Sequence, residues 1–316
     1  MVFGGTLRGD LTDNGIKSPW AEEGVNALVG FEYREDTLFE QADGTAAGGG
    51  LVGAGGATLP INARTGLTEF FGEIQIPVVA GLPGVEQFNL NGAYRWSEYS
   101  SEDILLGGSG GNFTTNTFSV GAGWVPFDDL RIRGQFQRAV RGPNINELFA
   151  QQNTGLTNLT DPCAGAAPTA TLAECLNTGL TAAQFGNIPA DSGQLNTLTG
   201  GNPGLSPEES DTFTLGFVYQ PSFVEGLTLS ADYFDITLDD AISTVPTATT
   251  LEQCLAGAQA FCDLIQRGPD GTLTFFPSDQ AFIQATDVNI AEFATSGIDF
   301  QVLYNRDIGS LSLIHI

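Results

Sequence analysis

The strongest constraint on the fold of this chain is an alternation of apolar and polar residues with a period of two. In Gln87–Trp96, the even-numbered positions are aromatic, aliphatic or glycine, and the odd-numbered positions are polar or alanine. Successive side chains of a β-strand point to opposite faces, so this pattern predicts a strand with one apolar and one polar face. The same alternation recurs at 29–34, 69–76, 117–124, 130–136, 212–219, 227–233 and 298–304. We therefore expect an all-β, antiparallel protein.

Two architectures present such two-faced strands. A membrane β-barrel turns apolar residues to lipid and polar residues to a wet interior. A soluble β-sandwich buries the apolar face instead. The charged residues of these strands fall on the polar face, except Arg138 and Asp235, each at the end of a strand. The alternation alone favours the membrane barrel without excluding the sandwich.

The lengths of the connections separate the two architectures. Short turns rich in Gly, Pro and Asp are expected at Pro77–Val85, Pro126–Asp129, Pro221–Gly226 and Asn305–Gly309. Long excursions alternate with them, at about Glu35–Gly66, Ser97–Asn116, Gly142–Asp211 and Ile236–Ala285. Outer-membrane barrels have short periplasmic turns and long extracellular loops in this way, whereas compact soluble domains rarely do. Aromatic residues typical of membrane interfaces lie near strand ends, at Tyr33, Tyr94, Trp96, Trp124, Tyr219, Tyr233 and Tyr304.

The composition excludes several other classes of protein. Acidic residues outnumber Lys and Arg by 37 to 11, a net charge of −26, which disfavours nucleic-acid binding. No apolar run reaches the roughly 18 residues of a membrane-spanning helix. The glycine-rich segment 48–56 is not framed by a strand and a helix, so we interpret it as a loop and not a phosphate site. No cofactor or metal site is predicted.

The four cysteines lie in the two longest excursions, two in each. Four cysteines allow three pairings. Pairing within each loop, Cys163 with Cys175 and Cys254 with Cys262, closes the smallest rings and suits an oxidising compartment. We predict these two disulfides.

The ends of the chain suggest a segment of a longer protein. Met1–Gly5 lacks the pattern of a signal peptide, although an outer-membrane protein must be exported. Ser310–Ile316 begins a strand without a following turn. We expect an internal barrel fragment, 1–316, without signal peptide, plug domain or closing strands.

Several segments resemble those of TonB-dependent outer-membrane receptors. The most specific is Arg138–Phe149, which resembles the run in which a strand of these receptors leaves the barrel for an outer loop. Gly201–Asp211 resembles the return to the barrel. Gly15–Ala21 together with Gly30–Arg34 resembles, more weakly, the beginning of a barrel strand in this family. Further weak similarities lie at Glu69–Pro77, Asp232–Ile236 and Thr295–Phe300.

The resemblance implies a barrel of about 22 strands, of which this chain supplies nine or ten. It implies uptake of a siderophore, cobalamin or oligosaccharide, and no catalysis. The implied partners are outer-membrane lipid, the plug domain of the same protein, the nutrient, and the TonB complex, which binds a TonB box in the N-terminal region not included here. Ligand-facing loops are expected at 142–211 and 236–285, with candidate contacts at Phe149, Gln151, Gln152, Phe185 and Phe275.

Two alternatives belong to other functional classes. One is a passive porin, against which the receptor-like motifs argue. The other is a soluble β-sandwich enzyme, such as a glycosidase with paired carboxylates, suggested by Asp232, Asp235, Asp239 and Asp240. Their position at a strand end favours a solvated rim or a loop cation site instead. The single histidine, His315, is in the terminal segment and is not expected to serve a catalytic triad.

Overall fold

The alternating segments form long β-strands in the computed structural model, which describes residues 1–50, 57–190, 192–274 and 280–306. The strands are β1 (Val2–Asp10), β2 (Asn26–Glu40), β3 (Ile61–Leu82), β4 (Val85–Asp103), β5 (Gly108–Ser109), β6 (Phe113–Phe127), β7 (Leu130–Arg141), β8 (Asn153–Thr157), β9 (Leu195–Thr199), β10 (Glu208–Tyr219), β11 (Leu227–Thr244), β12 (Ile265–Gln266), β13 (Phe282–Gln284) and β14 (Asp287–Tyr304). The helices are α1 (Gly44–Ala47), α2 (Ile145–Phe149), α3 (Leu172–Asn177), α4 (Thr247–Leu255) and α5 (Gln259–Cys262). Across the described ranges, no helix combines the length and the hydropathy needed to cross a membrane.

One antiparallel sheet forms the main wall. Its strands follow the order β1-β2-β3-β4-β6-β7-β10-β11-β14, and β5 adds to β4. Among the described residues β1 and β14 do not pair with each other, so the wall is an open segment of a barrel. The expected all-β, antiparallel barrel segment of nine or ten strands is confirmed.

The register places the apolar positions of neighbouring strands side by side on one face. Phe31 lies opposite Phe70, and Phe70 opposite Trp96. Their ring centres are 5.1 and 6.0 Å apart, a spacing at which aromatic rings attract one another. This face is not covered by protein, since Phe70 is 53% exposed and Val120 is 56% exposed. A continuous uncovered apolar face is what a lipid-facing surface requires.

The opposite face of the wall is polar and concave. Glu69 is only 6% exposed and accepts hydrogen bonds from Ser97 Oγ at 2.7 Å and from Arg95 Nη1 at 3.0 Å. The guanidinium of Arg95 also lies 4.7 Å from the centre of the Phe71 ring. These residues line a hollow of about 660 Å³. The charges of Glu69 and Arg95 are therefore held together on the interior side.

The two charged residues that the sequence analysis placed at apolar positions, Arg138 and Asp235, have specific partners. Arg138 lies directly opposite Asp211, and its Nε and Nη2 donate to the two carboxylate oxygens at 2.7 Å each. Asp235 accepts a hydrogen bond from the Tyr233 hydroxyl at 3.0 Å. Arg138 lies near the loop end of β7, whereas Asp235 lies midway along β11.

Some boundaries differ from the predicted ones. β2 continues to Glu40 and β3 begins at Ile61, so the first excursion is shorter than 35–66. β1 was not predicted, because its glycines weaken the alternation. Gly15–Ala21 lies in the β1–β2 connection and does not open a strand. There the Gly24 amide donates to Thr12 Oγ1 at 2.7 Å and fixes a compact turn.

Candidate functional site: an extracellular cap

The two longest loops fold together into one body, which we call the cap (residues 142–207 and 245–286). Its small sheet has the order β12-β13-β9-β8. Strand β9 of the first loop pairs in parallel with β13 of the second, with Thr197 opposite Ile283. The sequence predicted two separate loops. Pairing between them has no local period, so an alternation pattern could not reveal it.

A buried ion pair also joins the two loops. Asp161 of the first loop and Arg267 of the second meet through two contacts, Nη1 to Oδ2 at 2.6 Å and Nη2 to Oδ1 at 3.1 Å. The side chains are 2% and 3% exposed. Arg267 also donates to Thr178 Oγ1 at 2.9 Å and to the Gly271 carbonyl at 2.8 Å. Buried charges are tolerated where they are paired and hydrogen-bonded in this way.

Both predicted disulfides are present. Cys163 is bonded to Cys175, and Cys254 to Cys262. The first disulfide packs with Leu180 and Ile188 in one apolar cluster, and a second cluster contains Leu195, Leu251, Leu273 and Ile283. Leu255 contacts both clusters. The cap therefore has its own small apolar core, stabilised by the disulfides.

The base of the cap is attached to the interior side of the wall. Helix α2 begins with a capping box, in which the Glu147 amide donates to Asn144 Oδ1 at 3.0 Å and the Asn144 amide donates to Glu147 Oε2 at 2.7 Å. This helix places Leu148 (1% exposed) in a cluster with Ile61 and Ala63 of β3. Ile61 and Ala63 lie on the same face of β3 as Glu69, which is the interior face. The chain therefore turns inward where it leaves the barrel.

The exit and return segments, both recognised by resemblance, contact each other. The Gly201 amide donates to the Ala150 carbonyl at 2.8 Å, and the Asn202 amide to the Glu147 carbonyl at 2.7 Å. Arg141 lies between them and forms ion pairs with Glu147 at 3.0 Å and with Glu208 at 2.5 Å. The resemblance located both segments, and the structure shows that together they form the root of the cap.

The candidate ligand contacts have different environments. Phe149 is 6% exposed in the cluster at the root. Gln151 Nε2 donates to the Pro60 carbonyl at 2.7 Å, and Gln152 Nε2 to the Gly201 carbonyl at 3.2 Å. Phe185 packs, partly buried, against the cluster of the first disulfide. Phe275 lies outside the described residues. Contact of any of these five with a ligand stays a prediction.

The carboxylates that suggested a glycosidase are dispersed. Asp232 is on the interior face, where it pairs with Arg133 at 2.8 Å. Asp235 has the opposite parity on the same strand and therefore points to the other face. Asp240 is at a bulge of β11 with a left-handed backbone, φ 55°. Asp232 and Asp235 thus cannot face one substrate together, which a paired-carboxylate mechanism requires.

Sequence reasoning missed the main cross-loop contacts. Asp161, Thr178 and Arg267 were not among the candidates. One signal was available, because Arg267 is the only basic residue in either long loop. A lone cation in a long neutral or acidic segment needs a carboxylate partner if it is buried. The sequence does not indicate which of the acidic residues is that partner.

Comparison with known proteins agrees with this architecture. A family profile described as "TonB dependent receptor-like, beta-barrel" matches residues 3–311. A mutant ferric enterobactin receptor from Pseudomonas aeruginosa, in complex with enterobactin, superposes with a TM-score of 0.56 at 15% identity, covering 95% of this chain and 32% of that chain. A double mutant of the Serratia marcescens hemophore receptor HasR, in complex with its hemophore HasA and heme, gives 0.54 at 14% identity, covering 96% and 39%.

Among curated protein sequences, none matches the chain. The chain spans 32% and 39% of the two solved receptors, so it corresponds to part of such a molecule. At these identities the superpositions show the fold, and the profile match over almost the whole chain shows the family. The chain therefore belongs to the TonB-dependent receptor family, as part of the β-barrel that these receptors place in the outer membrane of Gram-negative bacteria.

Proposed function

We propose that this chain is part of a receptor for energy-coupled uptake of a scarce or bulky nutrient of the siderophore, cobalamin or oligosaccharide class. The cap is the observation that supports this best. A passive pore has no need of a folded, disulfide-braced body rooted on the interior side of its wall. A receptor that must hold a rare ligand over its mouth does, because ordering a loop before binding reduces the entropic cost of binding. No chemistry on the nutrient is proposed.

The remaining partners follow from the same proposal. The uncovered apolar face would contact outer-membrane lipid. The concave interior face, with Glu69 and Arg95, would contact a plug domain of the same full-length protein. The signal peptide, the plug domain and the closing strands would come from segments outside 1–316. The TonB complex would couple energy to uptake by acting on the plug domain. This agrees with the coverage of 32% and 39% of the solved receptors.

The cap would supply the ligand contacts. Gln152 is the most accessible of the four candidates that the structure describes, and it is our first choice for a direct contact. Gln151 and Phe185 would contact the ligand through the parts of their side chains that make no contact within the protein. Phe149 would act by holding the root in place. Phe275 remains a candidate from the sequence.

The test is uptake by cells that carry the full-length receptor as their only receptor of this class. Labelled nutrients of the three classes are supplied to cells with and without a working TonB. We expect the cells to take up nutrients of one class, and this uptake should depend on TonB. The variant Gln152→Ala should reduce uptake more than the control variant Gln75→Ala, which changes a residue on the interior face of the wall. Uptake that continues without TonB would indicate a porin. Uptake of none of the three classes would contradict the proposal.

A further inference from the structure

The arginines near the mouth of the barrel are all engaged by carboxylates. Among the described residues, the arginines in the half of the wall nearest the cap and in the cap itself are Arg34, Arg64, Arg95, Arg138, Arg141 and Arg267. The nearest carboxylates are Asp36 at 3.3 Å, Glu102 at 2.6 Å, Glu69 at 3.0 Å, Asp211 at 2.7 Å, Glu208 at 2.5 Å and Asp161 at 2.6 Å, respectively. An anionic ligand that binds one of these arginines would have to compete with a carboxylate that is already paired with it.

The extracellular loops add further negative charge. The acidic residues of 41–60, 142–207 and 245–286 are Asp43, Glu147, Asp161, Glu174, Asp191, Glu252, Asp263, Asp270 and Asp279. The loop 104–112 has no charged residue, and Arg267 is the only basic residue in the four loops. Since its side chain is 3% exposed and paired with Asp161, Arg267 adds no accessible positive charge. Asp43, Glu252 and Asp263 are exposed among the described residues, so the loop surface presents carboxylates to an approaching ligand.

The physical consequence concerns the charge of that ligand. A surface dominated by one sign of charge slows the approach of ligands of the same sign, and like charges brought together in the complex cost binding energy. Uncharged polar ligands do not pay this cost and can use the amide and hydroxyl groups of the loops. Anionic chelates would have to compete with the carboxylates that are paired with the arginines.

We propose that the nutrient of this receptor is an uncharged polar compound, such as an oligosaccharide or a neutral metal chelate, and not an anionic chelate. This inference rests on the proposed uptake function and specifies its substrate class. The recognising groups are the neutral polar side chains of the cap. The surrounding carboxylates exclude competing anions.

The experiment uses the full-length receptor in TonB-competent cells, with a panel that separates charge from size. The panel contains a neutral ferric trihydroxamate, a trianionic ferric tricatecholate, a neutral cobalamin, and neutral and sulfated forms of one oligosaccharide. We expect the cells to take up a neutral member of the panel. In low salt, uptake of its anionic counterpart should be at least about tenfold lower. This difference in uptake should become smaller at higher salt, because salt screens the charges of the loops.

A second measurement tests the role of the acidic loop residues. In the variant Glu252→Gln/Asp263→Asn, we expect faster association of the anionic probe and unchanged association of the neutral one. Uptake of an anionic member in preference to its neutral counterpart would overturn the inference and leave the receptor function standing. TonB-dependent uptake of no member would contradict the proposed function, and the inference with it.

Discussion

The carboxylate of Asp161 and the guanidinium of Arg267 form a bidentate, almost fully buried ion pair between residues 106 positions apart in the sequence. The membrane hairpin β10–β11 lies between these two residues along the chain. Together with the pairing of β9 and β13, this contact makes the two longest loops one structural unit.

Removal of one partner should therefore loosen both loops. Arg267→Met leaves the Asp161 carboxylate buried without its guanidinium, at a cost of about 3–5 kcal/mol. Hydrogen exchange in the full-length receptor should accelerate in 153–180 and in 262–285 together. The control Glu252→Gln, on an exposed position of α4, should leave both segments unchanged. The double variant Asp161→Leu/Arg267→Met should be less destabilised than the single one. Faster exchange in only one loop would show that the pair does not couple them.

Loss of the first disulfide should unfold part of the cap without affecting the wall. The sequence separation of Cys163 and Cys175 is 12, for which the loop-closure model gives about 3 kcal/mol. Cys163→Ala/Cys175→Ala should expose new protease sites within 159–190, while the barrel strands stay protected. A reducing agent, which also opens the Cys254–Cys262 disulfide, should expose the sites within 159–190 in the natural protein as well. Equal protease resistance of the natural protein and the variant would contradict the stabilising role.

The two faces of β10 should respond differently to one substitution. Leu215 is on the lipid-facing side and 50% exposed, whereas its neighbour Thr214 faces the interior. A lysine on the lipid side near the middle of the membrane costs about 2–4 kcal/mol, and one on the interior side costs much less. Leu215→Lys should reduce the fraction of receptor that migrates as the folded, heat-modifiable form, and Thr214→Lys should not. If both variants assembled equally well, the assignment of the faces would be wrong.

The start of helix α3 should be sensitive to acid. The Thr171 amide and then the Thr171 hydroxyl donate to the Glu174 carboxylate and lower its pKa below the ordinary 4.5. Because the pKa is lower in the folded state, this stabilisation is present above pH 4.5 and is lost as the pH falls through the folded-state pKa. At neutral pH, hydrogen exchange in 172–177 should be faster in Glu174→Gln than in the natural protein, after the rates are corrected for intrinsic exchange. At a pH well below 4.5, variant and natural protein should be equal. Thr171→Ala, which removes the hydroxyl donor, should reduce the same pH dependence.

The parts that sequence could predict are those with a local signature. Period two identified most wall strands, and resemblance identified the exit at Arg138–Phe149 and the return at Gly201–Asp211. β1 was missed because Gly4, Gly5 and Gly9 carry no side chain that would mark a face. The cap was missed for a different reason. Its helices have four to nine residues, too few for a clear helical period, and its decisive contact joins positions 106 residues apart.

The shared cap also has a consequence for the order of assembly. Asn196 Nδ2 donates to the Ala281 carbonyl at 2.9 Å across a separation of 85 residues, and the whole β10–β11 hairpin is contained in that interval. The two halves of the cap are brought together when β10 and β11 pair as an antiparallel hairpin, which returns the chain to the side of the wall that it left. Closure of the cap is thus a late step, slow because its contacts are distant in sequence. A completed cap therefore indicates that the β10–β11 hairpin has already formed.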